Sequence, residues 1–135
     1  MSAALDFRVL LAIAVGGGLG SVLRYVVAVL VTAQAGPGFP WATLLINVTG
    51  SLAIGAIAEL MQTRDVAASN LVRVFWMVGV LGGYTTFSTF SLDAVRLAAD
   101  RAPLLAFTYV CASTLLGIAA AVSGMALVRV LHVHA

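Results

Sequence analysis

The sequence predicts an all-α membrane protein of four spanning helices in a single domain, residues 1–135, and two observations carry that prediction. The chain is 62% hydrophobic and only 9% charged, with a mean hydropathy of +1.12, whereas soluble domains carry about a quarter charged residues. It also contains four apolar stretches, 7–31, 42–61, 72–92 and 104–131, each long enough for the roughly 20 residues that a spanning helix needs.

The first stretch is longer than a secretory h-region and three more follow it, so it reads as a retained helix. Its segment GGGLGSVLRY, residues 16–25, pairs Gly16 with Gly20. Small residues four apart let backbones approach closely in lipid, where packing is the main driving force. Arg24 follows on the same span. A guanidinium is costly there unless it snorkels to the interface or meets a polar cavity, where it would attract anions. The linker AQAGPGFPW, residues 33–41, has the Gly and Pro of a turn, and Trp41 suits a headgroup boundary.

The second stretch places Thr43, Asn47 and Ser51 on one helical face, at i, i+4 and i+8. A carboxamide in hydrocarbon must find partners, so Asn47 either links helices or faces water. Glu59, near the end of the stretch, reads as a solvated terminus. In the third stretch an apolar run gives way to Gly82-Gly83 and then Tyr84-Thr85-Thr86. Adjacent glycines weaken a helix by about 1 kcal/mol each relative to alanine, which predicts a third helix broken at its centre. Non-helical backbone at membrane depth is tolerated only against protein or a polar cavity. Such breaks expose carbonyls able to hold a cation and helix N-termini that favour anions.

The fourth stretch repeats the i, i+4, i+8 pattern with Tyr109, Ser113 and Gly117, flanked by Thr108 and Thr114. Single hydroxyls in a span can bond back to their own helix. Two helices with polar stripes at similar depth are more informative. The lone cysteine, Cys111, excludes a disulfide framework or cysteine metal cluster and reads as an apolar filler. The net charge of +2 comes with scattered arginines and no basic patch, so nucleic acid is not an expected partner. With four spans, Arg8, Arg64, Arg73 and Arg129 share one side, and Arg24, Arg96 and Arg101 the other. Orientation follows the Lys/Arg excess. This near balance is compatible with insertion both ways up, and equally with a weak bias that fixes one orientation.

GGGLGSVLRY, TLLINVTGSL and GVLGGYTTFSTFS, in this order within a four-span chain, resemble the Fluc (CrcB) family of bacterial fluoride channels over nearly the whole length. The resemblance implies a multi-pass protein of the bacterial inner membrane, assembled as an antiparallel, dual-topology homodimer with two pores. It would pass fluoride down its electrochemical gradient and lower cytoplasmic fluoride. It further implies a structural, untransported sodium ion at the dimer centre, held by the backbone carbonyls of Gly82 and Thr85. By motif position, Phe87 and Phe90 would border the pore, Asn47 would line it, and Tyr109 and Ser113 would form a polar track. Thr43 joins that lining, and Arg24 matches a vestibule arginine. Without the resemblance, the two phenylalanines would read as core or lipid-facing rings. Three residues depart from the family pattern: Tyr84 where an apolar residue is common, Asp93 in place of a glutamate, and Gly117 where a third track hydroxyl can occur.

The rival reading is a small dual-topology, proton-coupled multidrug exporter, which also has four short spans but needs an intramembrane carboxylate. Here the one glutamate is Glu59, and Asp6 precedes the first span. A structural subunit of a larger complex would explain the packing glycines but not the hydroxyl-rich third stretch. An enzyme is not expected. His132 and His134 lie in the C-terminal tail, far along the chain from Ser88 or Asp93, and no nucleophile is evidently paired with a base.

Overall fold

The computed structural model describes residues 6–63, 70–100 and 102–133. Arg64, Arg101 and His134 lie outside the described residues, as does the His132 side chain. The architecture is all-helical: α1 (Phe7–Ala35), α2 (Trp41–Thr63), α3 (Asn70–Arg73), a π-helical stretch (Val74–Val80), α4 (Leu81–Tyr84), α5 (Phe87–Ala99) and α6 (Pro103–Val133). Among the described residues four segments are long and apolar enough to cross a membrane: Phe7–Ala35, Trp41–Gln62, Asn70–Ala99 and Pro103–Leu131. The third runs well past residue 92 because α5 is amphipathic: its backbone stays helical after the apolar stretch has ended.

Local chemistry sets the ends. Asp6 caps α1 by accepting from the Arg8 N–H at 2.9 Å, satisfying one of the donors that a helix start leaves open. Gly36 ends α1 at φ 74°, a conformation that disfavours a Cβ.

Glycine lets the helices approach in two pairs. A Cβ on Gly16 would lie 2.7 Å from the Phe75 carbonyl oxygen, and one on Gly20 would overlap the Val80 carbonyl. The GxxxG face therefore packs within the chain, against the third span. The π-helical stretch widens that span where Gly79 meets Gly16. The second pair is α2 with α6: Gly55 lies against the Ala121 carbonyl and Gly124 against that of Leu52.

Two expectations change. Gly82 and Gly83 are helical, inside α4; the residues in extended conformation are Thr85 (φ −77°, ψ 160°) and Thr86 (φ −151°, ψ 116°). Gly83 instead admits the Gly17 backbone, so its smallness serves packing. Glu59 is not a solvated terminus. It is 4% exposed and takes a bidentate pair from Arg129, Nε to Oε1 at 2.8 Å and Nη2 to Oε2 at 3.0 Å. A buried carboxylate needs such a partner, and the bond ties the C-terminal ends of α2 and α6.

Gly20→Ala should cost about 1–3 kcal/mol through overpacking against backbone, read as a lowered thermal midpoint in detergent. Gly18→Ala, with nothing within 4 Å of the added methyl, should leave the midpoint unchanged; equal losses from both would refute this packing.

Candidate functional site

The polar face of α2 meets the extended residues between α4 and α5. Asn47 donates from Nδ2 to the Thr86 carbonyl at 3.0 Å, and its Oδ1 accepts from the Thr86 N–H at 2.9 Å. One carboxamide thus matches one peptide, donor to acceptor and acceptor to donor. Of the two readings of Asn47, linking helices is what its geometry does. In an unbroken helix the Thr86 N–H would bond the Gly82 carbonyl; given to Asn47, it leaves that carbonyl without its helical donor. Thr86 then starts α5, its hydroxyl accepting from the Thr89 N–H at 3.2 Å.

Three more contacts fix the segment. Thr43 donates to Asp93 Oδ2 at 2.7 Å, joining α2 to α5 one helical turn from Asn47. Arg24 reaches from α1 to the Thr85 carbonyl, with Nη1 at 3.4 Å. It therefore turns towards the middle of the third span. Tyr84 and Thr49 lie 2.9 Å apart, oxygen to oxygen. Thr49 spends its single hydroxyl proton on the Leu45 carbonyl at 2.7 Å, so the Tyr84 phenol is the donor between them. This partner answers the departure at Tyr84: a buried phenol has a specific acceptor.

A row of aromatic rings runs beside these bonds. Phe87 and Phe90 have centroids 5.5 Å apart, Phe90 and Tyr109 5.4 Å, and Tyr109 and Phe39 5.5 Å with an edge-on angle of 88°. Phe87 is 79% exposed while Tyr109 is 0% exposed, so the row leads from an open face into the interior. Thr43 and Ser113 flank the Tyr109 phenol, with the Asp93 carboxylate within electrostatic reach. These neighbours reach the phenol only loosely: neither the Tyr109 nor the Ser113 hydroxyl, both buried, has a partner at hydrogen-bond distance and angle among the described residues, a costly state for a polar group.

The hydroxyls sort into two kinds. Thr49, Thr85, Ser91, Thr108 and Thr114 bond back to carbonyls one turn earlier, which is the harmless use of Ser and Thr in a span. Tyr109 and Ser113 do not. Ser113 lines a groove of about 380 Å³ with Asn47, Ser51, Gly82, Phe87 and Phe90. A second cavity of about 560 Å³ opens near the 36–40 turn, where Thr43, Asp93, Arg96 and Asp100 meet.

The structure thus brings Asn47, Phe87, Phe90 and Ser113 to one groove, with Gly82 and Thr85 at its wall and Tyr109 touching Phe90. Thr43 belongs to the second cavity, and Arg24 reaches the Thr85 carbonyl from behind. Sequence reasoning missed two residues. Thr86 carries the capping signal, a Thr three residues before Thr89 at the start of an amphipathic run. Phe39, in the Gly/Pro turn, carried none.

Four apolar helices holding such a polar groove define a multi-pass membrane protein, and the comparisons with known proteins narrow the class. The chain belongs to the CrcB family: residues 11–125 match the family described as "CrcB-like protein, Camphor Resistance (CrcB)". Among its relatives, the "Fluoride-specific ion channel FluC" of Rhizobium meliloti (strain 1021) is 48% identical over 120 residues, 89% of this chain and 95% of the relative. The protein of that name from Agrobacterium fabrum (strain C58 / ATCC 33970) is 50% identical over 117 residues, covering 87% and 93%. That from Caulobacter vibrioides (strain NA1000 / CB15N) is 45% identical over 120 residues, covering 89% and 94%.

Asn47→Ala strips both partners from the Thr86 peptide and should cost about 2–4 kcal/mol, since each buried unpaired group costs about 1–3 kcal/mol. Asn47→Asp keeps the acceptor for the Thr86 N–H but turns a carboxyl oxygen on the Thr86 carbonyl in place of the donor, and should cost at least as much as Asn47→Ala. Hydrogen exchange at the Thr86 amide is the measurement; protection unchanged in Asn47→Ala would remove this bond from the fold.

Proposed function

We propose that this protein is a fluoride-specific channel of the bacterial cell membrane that lets fluoride leave passively down its electrochemical gradient, lowering cytoplasmic fluoride. The observation that carries the reading is the pair of buried, unpartnered hydroxyls on Tyr109 and Ser113 beside the aromatic row of Phe87 and Phe90. Hydroxyl and amide donors replace part of the water shell of a small, strongly hydrated anion. Aromatic edges are electropositive and meet an anion without a fixed charge that would trap it, and conduction needs weak, serial sites. In this reading Phe87, Phe90, Tyr109, Ser113, Asn47 and Thr43 line the way, and Arg24 draws anions towards it. The names of the relatives support fluoride as the ion.

The working unit in this proposal is an antiparallel, dual-topology homodimer. Phe87 at 79% exposure and the open groove along the third span leave the pathway unenclosed by one subunit, and the arginine balance suits insertion both ways up. The Thr85–Thr86 interruption is read as a break at membrane depth. Its carbonyls suit a structural sodium ion: that of Gly82 has lost its helical donor, and that of Thr85 receives one long contact from Arg24. A sodium ion between two such pairs of carbonyls would pin the copies at their shared centre. The exporter rival needs a proton-exchanging carboxylate, whereas Glu59 is held bidentately by Arg129 at the far end of α2 and Asp93, towards the end of the third span, accepts from Thr43.

Purified protein in liposomes should release fluoride and not chloride, measured with ion-selective electrodes; equal chloride efflux would end the claim of selectivity. Phe87→Ile and Phe90→Ile should each slow fluoride efflux roughly tenfold, the rate equivalent of about 1.4 kcal/mol, while the dimer stays intact in gel filtration. Unaltered efflux would take those rings out of the pathway. Preparation without sodium should likewise suppress efflux, and undiminished flux would remove the ion from the proposal.

A further inference from the structure

We propose that Ser51, on α2, supplies the third hydroxyl of the anion pathway, in the place where α6 has no side chain at Gly117. The inference rests on the channel reading above. Along α6, Tyr109 and Ser113 present their hydroxyls one turn apart, and the next position on that face is Gly117. A side chain there would have pointed at Ser51: a Cβ built on Gly117 lies 3.6 Å from Ser51 Oγ. The serine oxygen of one helix therefore borders the space left by the missing side chain of the other.

Three further observations mark this hydroxyl as available. Ser51 lines the same groove as Asn47, Phe90 and Ser113. It is half-buried and, among the described residues, makes no hydrogen bond, whereas Thr49 on the same helix and Thr114 on the facing one return theirs to the Leu45 and Val110 carbonyls. Its neighbour Ser113 is buried and equally unpartnered. Two hydroxyls on facing helices, both withheld from their own backbones and both turned into one groove, form a donor pair for an anion that has shed part of its water.

The test is single-channel current in planar bilayers with fluoride as the only permeant anion. The unaltered protein reports on the channel reading by itself, since absence of fluoride current there defeats that reading whatever Ser51 does. If it conducts, Ser51→Ala should lower the current roughly tenfold, the loss expected for one hydrogen bond to a charged group, and an undiminished current overturns the inference. The double variant Ser51→Ala/Gly117→Ser returns a hydroxyl to the same space from the other helix and should recover the current to within about threefold. Failure to recover also overturns it, because the loss would then not be that of a donor. Should Ser51→Ala not elute as the native assembly, Ser51→Thr and Ser51→Val decide the matter, being alike in shape and different only in the hydroxyl: the threonine conducts and the valine does not, and equal currents count against Ser51.

Discussion

An extended peptide inside an apolar span has no water to satisfy it, and each group left open costs several kcal/mol. In this chain that peptide is Thr86, and Asn47 meets both of its groups at 2.9 and 3.0 Å. The rest of the arrangement depends on this match. With the Thr86 N–H bound to a side chain, helical bonding can stop after Tyr84 and restart at Phe87. The Gly82 carbonyl loses its helical donor, and α5 begins with its own cap. Thr43 to Asp93 and Tyr84 to Thr49 repeat the logic above and below, so that α2 acts as a splint along the third span.

The splint holds only if the helices approach closely, and glycine makes that possible. Gly16 and Gly20 admit the backbone of the third span, and Gly55 and Gly124 bring α2 against α6. With little hydrophobic drive between helices in lipid, such close approach supplies the packing. Asn47 of α2 then bonds the backbone of the third span directly, and the Glu59–Arg129 pair fixes the far end of the α2 and α6 couple. Stability and the polar groove share one set of contacts: the amide of Asn47 that holds the Thr86 peptide also lines the cavity beside Phe90 and Ser113.

That sharing bears on the proposed pathway. A groove whose hydroxyls were all returned to their own helices would present carbon to an ion. Here Thr108 and Thr114 are returned in this way, while Tyr109 and Ser113 are held open and buried. Donors left in that state are costly to the fold, and an anion or water entering the groove would repay the cost. The aromatic row beside them has one ring almost bare and another fully covered, a gradient from the exposed face to the interior.

The sequence by itself determined the four spans, because length and hydropathy suffice when lipid is the solvent. Helical periodicity alone put Thr43, Asn47 and Ser51 on one face, and likewise Tyr109, Ser113 and Gly117. The motif order pointed to the family. Tertiary structure decided what each polar residue faces. The extended residues proved to be Thr85 and Thr86 and not the glycines, because Gly83 is engaged by the Gly17 backbone and Asn47 captures the Thr86 peptide. Glu59 looked solvated because its partner, Arg129, lies on another helix. Phe39 gave no sign in its turn of the contact it makes with Tyr109. In each case the deciding partner is far away in sequence, and periodicity within one helix says which face a side chain is on, never what stands opposite.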